Sequence, residues 1–304
     1  MMDNDEEMMV SICCITYNHE DYIADSIEGF LMQETDFKYE VIIHDDASTD
    51  KTADIIRSYE LKYPELIKPI YQNVNQYSKN IKILPTFLYP SAKGKYIALC
   101  EGDDYWTDPK KLQIQFECLE KNSDAVCCFH DEKRLDNEGF SNQSRIAISK
   151  KRSFTSSEMM GWKAKIFPLT VFFRNIEIFR NYPPEASYVK NGDAFLNSIL
   201  GQYGHGIYLP MIKPSVYRVH EGGIWSMKSE REQKAMRLNT AFWLAEYYSR
   251  LGNHKFEEKF RIKCLVMVIS DLLKYHLLLE FLRSFPQRFV KLCKDVSKKF
   301  ITEK

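Results

Sequence analysis

The sequence predicts an α/β protein, with a mostly parallel sheet flanked by helices and a helical extension at the C-terminal end. Three observations predict it. Over residues 10–129, short apolar runs alternate with segments of helical periodicity, the rhythm of βαβ units. The first run, VSICCITY, is apolar at nearly every position, so both faces of that strand need cover, as in a parallel sheet. From about Ser226 onward the pattern is helical.

Residues 10–17 are the first strand. A helix over residues 21–33 follows, because Ile23, Ile27, Phe30 and Leu31 recur at helical spacing. Residues 39–44 (YEVIIH) give the second strand. Ser48 or Thr49 caps the next helix, which carries Ala53, Ile56 and Tyr59 and stops at Tyr63 and Pro64. Residues 67–71 form a third strand, residues 81–89 a helix with Pro85 near its start, and residues 96–100 a fourth strand. Pro109 opens a helix through about Glu120, and residues 125–129 are the fifth strand. The polar stretch 131–151 reads as a loop or hairpin. Residues 169–174 return as a strand, residues 194–200 as a short helix, and residues 207–217 as one or two further strands.

The formal net charge is zero but unevenly spread. Residues 1–125 carry 12 Lys and Arg against 24 Asp and Glu, and residues 126–304 carry 30 against 18. An acidic half concentrates divalent cations and a basic half meets phosphate or an anionic surface, although solvated surface charge accounts for part of the asymmetry. The acidic opening MMDNDEEMM lacks the apolar stretch of a signal peptide, and no run reaches the length of a membrane span. The eight cysteines show no C-x-x-C spacing and read as small buried hydrophobes. A cytoplasmic protein is the expectation.

Ligands of an open parallel sheet sit beyond the carboxyl ends of its strands, so polar residues placed there carry most weight. Thr16, Tyr17, Asn18 and His19 follow the first strand; Asp45 and Asp46 follow the second; Glu101, Gly102, Asp103, Asp104, Tyr105 and Trp106 follow the fourth. Three acids so close repel one another unless a cation neutralises them, and Mg²⁺ or Mn²⁺ takes oxygen ligands and bridges to phosphates. The competing reading is that Asp103 or Asp104 caps a turn, and that the Asp45–Asp46 loop caps a helix.

Three ordered blocks, VSICCITYNHEDYIADSIEGFLMQ, YEVIIHDDASTDKTADII and GKYIALCEGDDYWTDPKKL, resemble the family-2 glycosyltransferases of GT-A fold over residues 10–129. The resemblance implies a Rossmann-like nucleotide-binding half. It also implies an inverting transfer from a nucleotide-sugar, a UDP-sugar being expected, to a hydroxyl acceptor, with no covalent enzyme intermediate. Donor-binding residues are then Thr16, Tyr17 (similar to the residue lining the uracil pocket), Asn18, Asp46 (the carboxylate accepting from the base imide) and Asp103. Asp104 is similar to the metal ligand, with Asp103 a further candidate, and the ion is Mn²⁺ or Mg²⁺. In the segment YRVHEGGIWS, His220 resembles the imidazole that joins the metal shell, a surface or core histidine being the alternative. In KNGDAFL, Asp193 resembles the general base, a helix cap being its alternative. Trp106 and Trp225 are candidates for the acceptor side or a lid, with Trp225 equally suited to plugging the core.

The expected organisation is a transferase domain over residues 1–225 and a helical extension over 226–304. Within the domain, about 8–130 bind the nucleotide-sugar and about 131–225 face the acceptor. Related bacterial enzymes build surface polysaccharides, which makes a lipid-linked glycan a candidate acceptor and leaves no role for nucleic acid. Phe285, Phe289, Leu292, Val296 and Phe300 share one helical face, with basic residues around the rest. That pattern suits either an anionic membrane surface or packing on the protein itself. Two alternatives are weighed against a transferase. A nucleotidyltransferase needs a Gly-rich basic loop where this chain has the acidic TYNHED, and a non-catalytic carbohydrate- or nucleotide-binding module would bind without turnover.

Overall fold

The strand at the centre of the architecture is built from residues that must leave water on both sides. In the computed structural model, which describes residues 7–141, 151–223 and 227–274, β1 (Met8–Thr16) buries Val10, Ile12 and Cys14 on one face and Cys13 on the other. The chain continues through α1 (Ile23–Leu31), β2 (Lys38–Asp45), α2 (Thr52–Lys62) and β3 (Ile67–Tyr71). The helix expected over 81–89 is a π-helical turn, Leu84–Leu88, running into the short α3 (Tyr89–Ser91). Pro85 and Pro90, which lack amide donors, break the regular ladder there. Next come β4 (Tyr96–Leu99), α4 (Lys111–Lys121), β5 (Ala125–Phe129), and a hairpin of β6 (Glu132–Asp136) and β7 (Gly139–Phe140). After α5 (Ser156–Met160), β8 is confined to Phe172–Arg174, because Pro168–Thr170 coils into a 3₁₀ turn. Then follow α6 (Gly192–Leu200), β9 (His205–Tyr208), β10 (Ser215–Arg218), α7 (Glu230–Arg250) and α8 (His254–Lys274).

Among the described residues, seven strands pair in the order β3-β2-β1-β4-β8-β5-β9, and β10-β6-β7 form a small second sheet. Only β8 runs against its neighbours in the large sheet; the rest share one direction. Crossover helices therefore cover both faces. Ile27 and Phe30 of α1, Ile56 of α2, and Leu112 and Leu119 of α4 pack on one face. Tyr89 of α3, Met159 of α5, and Leu196 and Leu200 of α6 pack on the other. The helix expected after Ser48 or Thr49 begins at Thr52 instead, and Asp50 accepts from the Thr52 amide at 2.9 Å.

The described residues divide into two compact units between Trp243 and Leu244. The second unit holds the end of α7 with α8, and Tyr248 stacks on Phe260 with centroids 5.9 Å apart. No helix among the described residues is long and apolar enough to cross a membrane. The amphipathic segment expected from Phe285 to Phe300 lies outside the described residues.

At the amino ends of the central strands, a buried polar network fixes the register of β4, β1 and β2. The Ser11 hydroxyl donates to Glu40 Oε1 at 2.6 Å and accepts from the Gly94 amide at 2.8 Å. Glu40 also accepts from the Lys93 amide at 2.8 Å. A Cβ on Gly94 would lie 2.5 Å from the Ser11 nitrogen, so backbone meets backbone and nothing flexible can yield. Gly94→Ala should therefore cost roughly 1–3 kcal/mol, as overpacking does. The expected drop in Tm is about 2–4 °C per kcal/mol. A melting temperature equal to the parent's would show that the strands separate without strain.

Candidate active site

Because β1, β2 and β4 are adjacent and parallel, their carboxyl ends at Thr16, Asp45 and Leu99 open onto one edge. The first two following loops are laced together by local polar side chains. The Asn18 amide donates to Ser48 Oγ at 2.9 Å, and Asn18 Oδ1 accepts from the Thr49 amide at 2.8 Å. The Glu20 amide donates to Asp50 and the His19 amide to Thr52 Oγ1, at 3.0 and 2.7 Å. Asn18 and Ala47 hold positive φ of 53° and 61°; for alanine that conformation costs roughly 1 kcal/mol, which this lacing must hold in place. Asp45 binds the Ser48 hydroxyl and amide. Asp46 is buried, and its two oxygens accept from the Gln76 and Tyr77 amides at 2.8 and 3.0 Å. It thus fixes the segment after β3, where tertiary folding brings residues thirty positions away onto it.

The third loop carries the acids. Its path needs glycine at 102, where a Cβ would stand 2.6 Å from Thr16 Oγ1. The buried Ser26 hydroxyl of α1 lies 3.0 Å from the carbonyl of Gly102 and 2.6 Å from that of Asp104. Beyond the acids, Trp106 is 1% exposed, donates Nε1–H to the Leu169 carbonyl at 2.9 Å and meets Phe30 edge-on. Trp106 therefore offers no face to an acceptor and forms no lid: it is the core anchor of this loop, because an indole so large gains most by burial once its N–H is satisfied. Trp225 lies outside the described residues.

Two groups of candidate ligands share Asp103: His19, Asp103 and His220, and Glu101, Asp103 and Asp104, each with ligand atoms within 4.8 Å of one another. His220 Nε2 is 3.0 Å from Asp103 Oδ2, and His19 Nε2 is 3.8 Å from the same oxygen. Asp104 is 1% exposed; its Oδ1 accepts from the Arg218 amide at 2.9 Å. Among the described residues, Asp103 Oδ1 and Asp104 Oδ2 are buried without a hydrogen-bond partner. Burial, with the Asp103 and Glu101 charges beside it, pushes the Asp104 carboxyl well above the usual range. Burial also opposes ionisation of Asp103, but donation from His220 and the neighbouring imidazole charges outweigh it and hold Asp103 low. Burial lowers His19, which favours the neutral imidazole a metal requires. Carboxylate oxygens, two of them unpaired, with imidazole at the margin are a donor set that fits Mn²⁺ or Mg²⁺.

Arg218 was not singled out from the sequence, yet it ties the site together. Its guanidinium donates to the Asp103 carbonyl at 3.1 Å and pairs with Asp25 of α1. It also lies between the rings of Tyr22 and Tyr105, at 5.2 and 4.6 Å. The readable signal was its position two residues before His220, since alternate residues of an extended segment face the same way.

Tyr17 is 41% exposed at the mouth of the first loop, while Thr16 is buried with its hydroxyl 3.2 Å from His19 Nδ1. Asp193 sits in the first turn of α6; the cap position belongs to Asn191, whose side chain accepts from Thr240. A helix feeding a strand of a parallel sheet runs back along it, so the start of α6 points toward the edge that carries the acids.

The family model for glycosyl transferase family 2 matches residues 11–183, more than half of the chain. An uncharacterized protein of Mycobacterium tuberculosis is 35% identical over 218 residues, which are 71% of this chain and 60% of that protein's length. The UDP-Glc:alpha-D-GlcNAc-diphosphoundecaprenol beta-1,3-glucosyltransferase of Escherichia coli is 39% identical over 126 residues, 41% of this chain and 47% of that enzyme. Among solved structures, a mannosyltransferase of Pyrobaculum calidifontis in complex with GDP-Man and Mn²⁺ superposes with a TM-score of 0.56. It covers 97% of this chain and 81% of that one at 16% identity, a likeness of fold.

A carboxyl whose folded pKa is raised binds more protons folded than unfolded, so the metal-free protein loses stability through Asp104 as pH rises above the unfolded value. Asp104→Asn removes that charge and offers an amide to its acidic neighbours. In EDTA at neutral pH the variant should melt a few degrees higher than the parent, about 2–4 °C per kcal/mol. Added Mn²⁺ should stabilise the parent alone. A variant that melts lower in EDTA, or equal stabilisation of both proteins by Mn²⁺, would remove Asp104 from the metal site.

Proposed function

The chain belongs to glycosyl transferase family 2, and we propose that within it this protein is an inverting, divalent-cation-dependent transferase using a nucleotide-sugar donor. The observation that carries this reading is the pair of buried carboxylate oxygens, on Asp103 and Asp104, left without hydrogen-bond partners among the described residues at the carboxyl end of a parallel sheet. Asp104, Asp103 and His220 would hold the ion, with His19 and Glu101 alongside. A cation held there would supply positive charge to a diphosphate leaving group as its negative charge builds. Arg218 keeps the acidic loop and the His220 segment in register, and Gly102 lets that loop approach Thr16.

The donor is proposed to be a UDP-sugar, its base meeting the loops of Tyr17, Asn18 and Asp46. The Escherichia coli relative is named for UDP-Glc, whereas the Pyrobaculum structure holds GDP-Man. That relative's diphosphoundecaprenol substrate supports a lipid-linked glycan as the acceptor here. Peripheral contact with an anionic membrane through residues 284–304 is proposed from their sequence pattern alone. The nucleotide part is assigned to about 8–130 and the acceptor side to about 131–225, with the remainder a helical extension.

Asp193 is proposed as the general base. Single displacement needs one carboxylate within roughly 2.6–3.2 Å of the acceptor hydroxyl, opposite the leaving group. The first turn of α6 offers such a group, and its neighbour Asn191 already occupies the cap. Asp193→Asn should lose about 10²–10⁴ in kcat with nucleotide affinity nearly unchanged. Asp46→Ala should instead weaken nucleotide binding. NMR of the first-formed product should show the inverted anomer, and EDTA should abolish transfer until Mn²⁺ is restored. Transfer by Asp193→Asn within a few-fold of the parent would leave Asp193 a structural residue of α6. Binding without transfer or donor hydrolysis by the parent would make the protein a non-catalytic module.

A further inference from the structure

On the segment leading into α6, aromatic rings lie exposed where the core does not need them. Tyr188 is 58% exposed. It stacks on Trp243 of α7 with centroids 4.5 Å apart and planes 17° from parallel. Phe242, 46% exposed, meets Trp243 edge-on at 5.3 Å. The rings are held on a fixed base. The 3₁₀ turn Pro184–Ser187 precedes Tyr188, and buried Val189 follows it, its carbonyl bound by Lys82 Nζ at 2.7 Å. The Lys190 amide donates to Asn239 Oδ1 at 2.9 Å and the Asn191 amide to Thr240 Oγ1 at 3.0 Å, clamping α7 along the same segment. Asp193 lies five positions after Tyr188, a span of at most about 18 Å even fully extended.

We infer that the Tyr188–Trp243 pair is a saccharide subsite, stacking one pyranose ring of the acceptor glycan a short distance from the group that activates its hydroxyl. The inference rests on the proposed transferase reading, which makes a glycan the acceptor. A pyranose presents axial C–H groups over an area matching one aromatic ring and hydroxyls around its rim, so it needs a small rigid apolar face with polar neighbours. The pair provides that face, and Lys190, Asn239 and Asp193 belong to the same neighbourhood of the chain. A protein or membrane partner would call for a contiguous apolar patch of several hundred Å². Here polar residues interrupt the apolar surface: Lys190 and Asn191 stand two and three positions after Tyr188, and Asn239 and Thr240 precede Phe242 on α7. Because two χ angles set each ring and the segment is already fixed, little conformational entropy is lost on binding.

Saturation-transfer NMR of the full chain with cellotriose, maltotriose and triacetylchitotriose tests the subsite without requiring turnover. At least one trisaccharide should receive saturation at its ring C–H protons from the parent. The effect should fall about tenfold in Tyr188→Ala and persist in Tyr188→Phe, which keeps the ring. Circular dichroism of both variants should match the parent's; Tm should be unchanged in Tyr188→Phe and lower by only a few degrees in Tyr188→Ala, which loses the stack on Trp243. No saturation of any trisaccharide by the parent, or equal saturation with Tyr188→Ala, overturns the subsite. Hydrolysis of UDP-sugars by the parent with Mn²⁺ is measured separately. Its absence would sink the transferase reading, while the saccharide result would still decide the platform.

Discussion

Three acids, Glu101, Asp103 and Asp104, occupy four consecutive positions, and two of them have a carboxylate oxygen buried without a partner among the described residues. Like charges in a low-dielectric setting are costly, so the surroundings must either neutralise them or keep one protonated. The structure does some of each. His220 and His19 lean on Asp103, the Arg218 amide serves one oxygen of Asp104, and burial leaves the second carboxyl of the pair reluctant to ionise. What remains unbalanced is a concentrated demand for a cation. The glycine at 102, the hydroxyl of Ser26 beneath the loop and the anchor at Trp106 all hold that demand in place.

The uneven charge of the chain takes on a physical meaning here. Arg218 and His220 come from the basic rear of the sequence, and β10 delivers them to an acidic loop more than a hundred residues earlier. The link is mechanical as well as electrostatic. Tyr105 pairs with Val216 as an antiparallel bridge, so the acidic loop and the strand before His220 share hydrogen bonds. Arg218 then reaches Asp25 of α1, joining the helix after the first strand to the strand before His220. A displacement of β10 would therefore move the acids and the imidazole together.

Around this cluster the polar loops are more constrained than their composition suggests. Asn18, Glu20 and Asp50 spend their side chains on backbone amides across the first two loops, and Asp46 does the same for the segment after β3. Such lacing makes an edge of loops rigid enough to receive a ligand without large reordering. The left-handed Ala47 between Asp46 and Ser48 is the sign of the cost, a strained residue held by its neighbours at the edge where ligands of this fold class gather.

The sequence by itself determined the α/β class, the parallel strands through residue 129 and the acidic loop, because apolar periodicity and strand-end carboxylates are local patterns. It also pointed to His220, through a strand before it and two glycines after it. Only the tertiary structure decided the rest. Trp106 looked like a ligand-facing aromatic until packing put it against Phe30 and Leu169. The helix expected over 81–89 became a π turn, because two prolines withhold amides from its ladder. Arg218 and the Tyr188–Trp243 stack were invisible for one reason. Their partners lie roughly fifty to two hundred positions away, and no local pattern encodes a contact that exists only after the chain has folded.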